Sequence, residues 1–148
     1  MLIDRLQQDL NASLKAGKSI RVETIRFLIA AVRNAAIAKY WGKADTSLTD
    51  ADIVEVVKKQ IKTHKESIEA FKKAGRTELV DKEKQELEIL LEFAPKEMSD
   101  DELKKILEPI ASSGESNFGL LMKQTMAAVA GKADGGRVAM MLKHMLQP

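Results

Sequence analysis

The chain has 148 residues, 45% of them apolar and 31% charged, enough to bury a real core in one ordinary domain or two small ones. Its net charge is only +2, from 24 basic and 22 acidic residues, which excludes a uniformly basic nucleic-acid binder; a phosphate-attracting surface has to be local. The absence of cysteine excludes disulfides, thiolate metal sites and a cysteine nucleophile, and suits a reducing compartment.

The elements read as helices in chain order. Leu2, Leu6, Leu10 and Leu14 recur every four residues and predict an amphipathic helix over Leu2 to Ala16, stopped at Gly17. A second helix from about Ile20 to Tyr40 is apolar nearly all round (Ile25, Leu28, Ile29, Val32, Ala35, Ala36), the pattern of a central, buried helix. Arg26 and Arg33 share one of its faces, and a buried arginine needs a carboxylate partner. The segment WGKADTSLTD reads as a loop ending in a helix start, with Thr49 as N-cap, acids in the first turn, and Leu48 and Ile53 as a hydrophobic staple.

The third helix runs to about Ala74. Ile53, Val57, Ile61, His64, Ile68 and Phe71 mark its inner face, and Lys58, Lys62, Lys65 and Lys72 form a basic stripe beside it. Gly75 ends it, and a fourth helix follows from Thr77 to about Phe93 with Leu79, Val80, Leu87, Leu90 and Leu91 inward. Its acidic far half carries Glu83, Glu86, Glu88 and Glu92; Glu86 is the expected structural ion-pair partner for Arg26 or Arg33.

FAPKEMSDDEL reads as a boundary. Pro95 stops the fourth helix, Ser99 and Glu102 have the spacing of a capping box, and Met98 with Leu103 forms a second staple. Three shorter helices follow: Asp100 to Ala111, which Pro109 should kink or shorten; about Asn117 to Ala130, entered from a Ser116 cap; and Asp134 to about Met145. No strand is convincing, because proline, glycine and aromatics are few. The expectation is an all-α protein with an N-terminal domain of about four helices, 1–94, and a C-terminal three-helix domain, 95–148. Residues 1–94 carry 17 basic and 15 acidic side chains, and 95–148 carry 7 of each.

Chemistry-bearing residues are sparse. His64 on an inner face reads as a hydrogen-bonded core histidine, and His144 suits a helix C-terminus. Glu83 and Glu86 lack a Glu-x-x-His companion and read as a solvated acidic face. ASSGES faintly resembles the Gly/Ser-rich segment of amidases and is accounted for as a polar loop. No catalytic residue, metal site or cofactor is therefore expected. MLIDRLQQDL carries charge before any apolar region, and FLIAAV is too short to span a bilayer, so a cytoplasmic chain away from membranes is expected.

One stretch stands apart. AGKADGGRV, residues 130–138, holds three of the eight glycines between Lys132 and Arg137 or just before them. Asp134 is placed to cap the last helix, with Gly131 ending the previous one, and a capped turn is what the residues alone favour. A turn nevertheless does not need glycine at both 135 and 136. Bare N–H groups at a helix N-terminus can accept a phosphate, although Asp134 competes for them.

ETIRFLIAAVRNAAI, KESIEAFKKAGRTELVDKEKQELEILLEFAPKEMSDDEL and MAAVAGKADGGRV together resemble the YqeY-like proteins, whose C-terminal part is similar to the tail of one component of the glutamyl/aspartyl-tRNA amidotransferase. Gly75–Arg76 and Glu86–Leu87 also match that family. The resemblance implies an all-helical fold in two parts and a tail that approaches tRNA. Lys132, Gly135, Gly136 and Arg137 are then candidates for RNA contact, beside the stripe at Lys58, Lys62 and Lys65. The expected function is a non-catalytic accessory protein that binds tRNA or another structured RNA. One alternative is a module docking on amidotransferase or translation proteins through its Met-rich last helix (Met140, Met141, Met145). Another is carbon–nitrogen ligase activity with glutamine as amido donor, carried by the shared tail, although the chain lacks that enzyme's glutaminase and kinase-like active sites.

Overall fold

The computed structural model describes residues 1–147, with Ala44 and Asp45 described by their backbone alone. Among the described residues every regular element is a helix and none is a strand, and the chain divides into two compact units, Met1–Ala94 and Pro95–Pro148.

The first unit contains α1 (Leu2–Lys15), α2 (Ser19–Tyr40), a one-turn α3 (Ala44–Ser47), α4 (Asp50–Lys73) and α5 (Thr77–Leu91). The expected loop after Tyr40 is therefore partly structured, as a 3-10 turn over Trp41–Lys43 followed by α3. Helix α2 packs against α1, α4 and α5 and buries Ile25, Leu28, Ile29 and Val32 against Leu6, Ile53, Val57 and Leu90, but it is not covered all round: Phe27 and Ile37 are exposed. Leu14 departs from the expected leucine stripe and is exposed. A four-residue repeat drifts about 40° per step around a helix of 3.6 residues per turn, so its last member rotates off the core.

Helices α1 and α4 end alike. Gly17 and Gly75 take φ of +67° and +68°, and the next amides, of Lys18 and Arg76, donate back to the carbonyls of Ser13 and Phe71. This is the six-to-one bond of a Schellman ending, which glycine enters without a Cβ penalty. The tight turn at Gly75 folds α4 and α5 into a hairpin packed along its length. At its other end, α4 begins with a capping box: the Thr49 side chain accepts from the Asp52 amide, and the Asp52 carboxylate accepts from the Thr49 amide. Asp52 also accepts from Lys39 (2.6 Å) and from the Tyr40 hydroxyl (2.8 Å), which ties the end of α2 to the start of α4. These donors, Lys39 and Thr49 foremost, hold the Asp52 carboxyl well below the usual carboxylate range.

The second unit packs α6 (Asp100–Ala111), α7 (Phe118–Val129) and α8 (Gly135–Leu146) around Leu103, Leu107, Leu121, Val129, Ala133, Val138 and Leu142. Ser99 and Glu102 form the capping box of α6. Pro109 does not shorten that helix, which runs on to Ala111. The helix forfeits the bond that a residue-109 N–H would make to the residue-105 carbonyl, and it ends two residues later. Helix α7 is capped by Asn117 rather than Ser116, through the Leu120 amide at 3.2 Å.

Candidate functional site

The Gly-rich turn is closed on itself. One oxygen of Asp134 accepts from the amides of Gly136 (3.0 Å) and Arg137 (3.3 Å), so two of the first-turn N–H groups that would receive an anion are already engaged. A Cβ on Gly136 would stand 3.0 Å from that same carboxylate oxygen. Glycine at 136 thus makes room for the cap, not necessarily for a ligand. Gly135 is half-buried, and a Cβ there would meet the methyl of Met126 at 3.8 Å. The Arg137 guanidinium donates from Nε to Asp100 (3.1 Å) and from Nη1 to the Met98 carbonyl (2.8 Å), and the Lys132 carbonyl accepts from the Met98 amide (2.8 Å). Within the second unit, the turn therefore fastens the start of α8 to the start of α6. Of its four candidate residues, only the Lys132 side chain projects freely to solvent.

The candidate stripe on α4 is exposed along Lys58, Lys62 and Lys65, but acids lie among the lysines. Lys62 stands 3.9 Å from Glu66, and Lys72 stands 3.5 Å from Glu69.

The expected ion pair between Glu86 and Arg26 or Arg33 is not formed. Both arginines are exposed, have no hydrogen-bond or ion-pair partner among the described residues, and line a single groove with Gln7, Asn34 and Ile37. The arginine of α2 that does pair with an acid of the α5 end is Arg21. Its Nε donates to Asp9 (2.8 Å), and its Nη1 and Nη2 donate to Glu92 (3.0 and 2.7 Å). Arg21 holds the Asp9 and Glu92 carboxyls below their usual range, and they hold its guanidinium above its own. The expected kind of pairing therefore exists one and a half turns earlier on α2. Residues 21 and 26 differ by five positions, which places them on different sides of the helix.

Glu86 instead faces His64 across the α4–α5 hairpin. His64 and Glu86 are each eleven residues from Gly75, and positions equidistant from the turn of a helical hairpin meet. That spacing was the available signal in the sequence. The pair lies in a groove of about 540 Å³, lined among others by Phe27, Gln60, Ser67, Phe71 and Leu79. His64 Nδ1 is 2.9 Å from the Gln60 carbonyl; Nε2 is 3.0 Å from Glu86 and 3.7 Å from Glu83. The side chains of His64, Glu83 and Glu86 are 12, 22 and 18% exposed, which corrects the reading of the two glutamates as a solvated acidic face. Helix spacing set the register of that face, but the hairpin partner covers it.

Fold and site together define an all-helical protein of two units, with an internally fastened Gly-rich turn in one and a polar hairpin groove in the other. The chain belongs to the YqeY-like family, whose model matches residues 3–146. It is 30% identical over 138 residues to the protein of Pyrenophora tritici-repentis named altered inheritance of mitochondria protein 41, mitochondrial, covering 90% of this chain and 74% of the relative. It is also 30% identical over 142 residues to the like-named protein of Kluyveromyces lactis, covering 92% and 73%. Among the described residues, no helix is long and apolar enough to cross a membrane.

Proposed function

We propose that this protein is a non-catalytic accessory protein that binds tRNA or another structured RNA, related in its second unit to the tRNA-approaching tail of the amidotransferase. The observation that carries the reading is the pair Arg26 and Arg33: two exposed guanidiniums on one face of α2, over one groove, with no carboxylate among the described residues to neutralise them. An exposed arginine without a partner offers a fork of donors matched to phosphate oxygens. Trp41, the C-cap residue of the same helix, is 81% exposed and supplies a face on which a base can stack. Lys58, Lys62, Lys65 and Lys132 add exposed positive charge. The turn at Gly135, Gly136 and Arg137 takes a positioning role in this reading, because its donors are engaged within the protein.

Phosphate contacts give affinity that falls steeply with salt. The test is binding of bulk tRNA to the intact chain at low and moderate salt. Binding that weakens with salt, and weakens further in the double variant Arg26→Glu/Arg33→Glu, supports the proposal. No binding at low salt overturns it. Partners recovered from cells that persist after nuclease treatment would favour protein docking on translation or amidotransferase machinery. We place the protein in the cytoplasm; recovery in an organelle fraction, the address in the fungal relatives' names, would overturn that placement.

A further inference from the structure

We propose that His64, Glu83 and Glu86 form a binding site for one divalent transition-metal ion of the zinc class. The argument begins with protons. The Gln60 carbonyl can only accept, so His64 Nδ1, at 2.9 Å from it, carries the hydrogen. In a neutral imidazole the lone pair then lies on Nε2, and Nε2 points at two carboxylates, 3.0 Å from Glu86 and 3.7 Å from Glu83. Three acceptors converging this closely share a cation, either a proton between Nε2 and Glu86 or a metal ion in its place.

The spacing suits an ion. A tetrahedral zinc with bonds of about 2.0–2.1 Å keeps neighbouring ligand atoms roughly 3.3 Å apart. The two measured separations from Nε2 lie on either side of that value, and the three ligand atoms all lie within 4.8 Å of one another. A ring whose other nitrogen is anchored to a backbone carbonyl has its tautomer and orientation set, as ligating histidines do. Two carboxylates and a neutral imidazole balance a divalent charge. Lys82 is the competing cation, but it lies 3.9 Å from the other Glu86 oxygen. The open groove leaves room for water as the fourth ligand. An imidazole among carboxylates favours zinc or a neighbouring transition ion over magnesium or calcium, which take oxygen donors.

The test uses the full chain stripped with chelator and titrated calorimetrically with zinc chloride, with magnesium chloride in parallel. The expected result is one zinc per chain, a melting temperature raised by zinc, and no comparable response to magnesium. Glu83→Gln and Glu86→Gln keep side-chain shape and should each lower zinc affinity at least tenfold, and His64→Ala should abolish binding. His144→Ala, which removes the other of the two histidines, should leave binding unchanged. Absence of zinc binding by the parent chain overturns the proposal. So does binding that survives the loss of both glutamates, or that disappears with His144. If His64→Ala unfolds, the two glutamine variants decide alone.

Discussion

The Gly-rich turn and the outer face of α2 make an instructive pair. Both present cations that the sequence singles out, and they use them in opposite ways. At the turn, Arg137 is held by Asp100 and Met98, and the amides of Gly136 and Arg137 are held by Asp134. On α2, Arg26 and Arg33 have no partner among the described residues. A conspicuous motif can be conspicuous because it closes a structure, while charges elsewhere are left unpaired among the described residues.

The sharpest way to break that comparison is to reverse both exposed charges. Arg26→Glu/Arg33→Glu should lower tRNA affinity roughly a hundredfold at low salt and flatten the salt dependence by about one unit of slope for each phosphate no longer neutralised. Its thermal stability should match that of the parent chain. A gel-shift titration with a parallel melt reads both, and unchanged affinity would return RNA recognition to the lysines or the turn.

Arg21→Ala is the opposite case, an α2 arginine whose charge is used inside the fold. It should cost about 1–2 kcal/mol, discounted because Glu92 is half exposed, in denaturant unfolding, with little effect on binding. The same cluster sets an acid response. Asp9 and Glu92 are held below their ordinary values of 3.8 and 4.5, so the stability they contribute is complete above those values and is lost as pH falls through the lower folded ones. The parent chain should therefore lose stability below about pH 4.5 more steeply than Arg21→Ala, in melts from neutral to acid pH.

Asp134→Ala should cost about 1 kcal/mol by loss of the α8 cap and leave tRNA affinity near that of the parent chain. Stronger RNA binding in this variant would mean that the freed amides take phosphate after all. The smallest effect is expected for Gly136→Ala. The helix propensity gained, up to about 1 kcal/mol, is offset by crowding of the cap oxygen, which leaves unfolding within about 0.5 kcal/mol of the parent chain. A large loss of RNA affinity at unchanged stability would make the glycine a ligand-binding residue.

Local rules made most of the helical plan legible. The Schellman ending at Gly75, the capping boxes at Thr49 and Ser99 and the Asp134 cap each depend on residues within a few positions of one another. Where a single position departed, as at Leu14, Leu91 (exposed, beside the buried Leu90) or Ser116, the cause was equally local: the drift of a four-residue repeat, the turn of about 100° between adjacent helical residues, or a cap one residue further on at Asn117. Of the candidate site, the exposure of Lys58, Lys62, Lys65 and Lys132 was readable from pattern, but the partners of the arginines and glutamates were not.

The sequence by itself determined most helix ends and most of the apolar stripes they bury, because capping, helix propensity and periodicity act within a turn or two of the chain. Only the tertiary structure decided that Glu86 meets His64 and not an arginine, that Glu92 and Asp9 converge on Arg21, and that Arg26 and Arg33 meet no partner among the described residues. Charge pairing depends on which faces of distant helices are brought within a few ångströms of each other. The hairpin at Gly75 and the packing of α2 against its neighbours fix those distances.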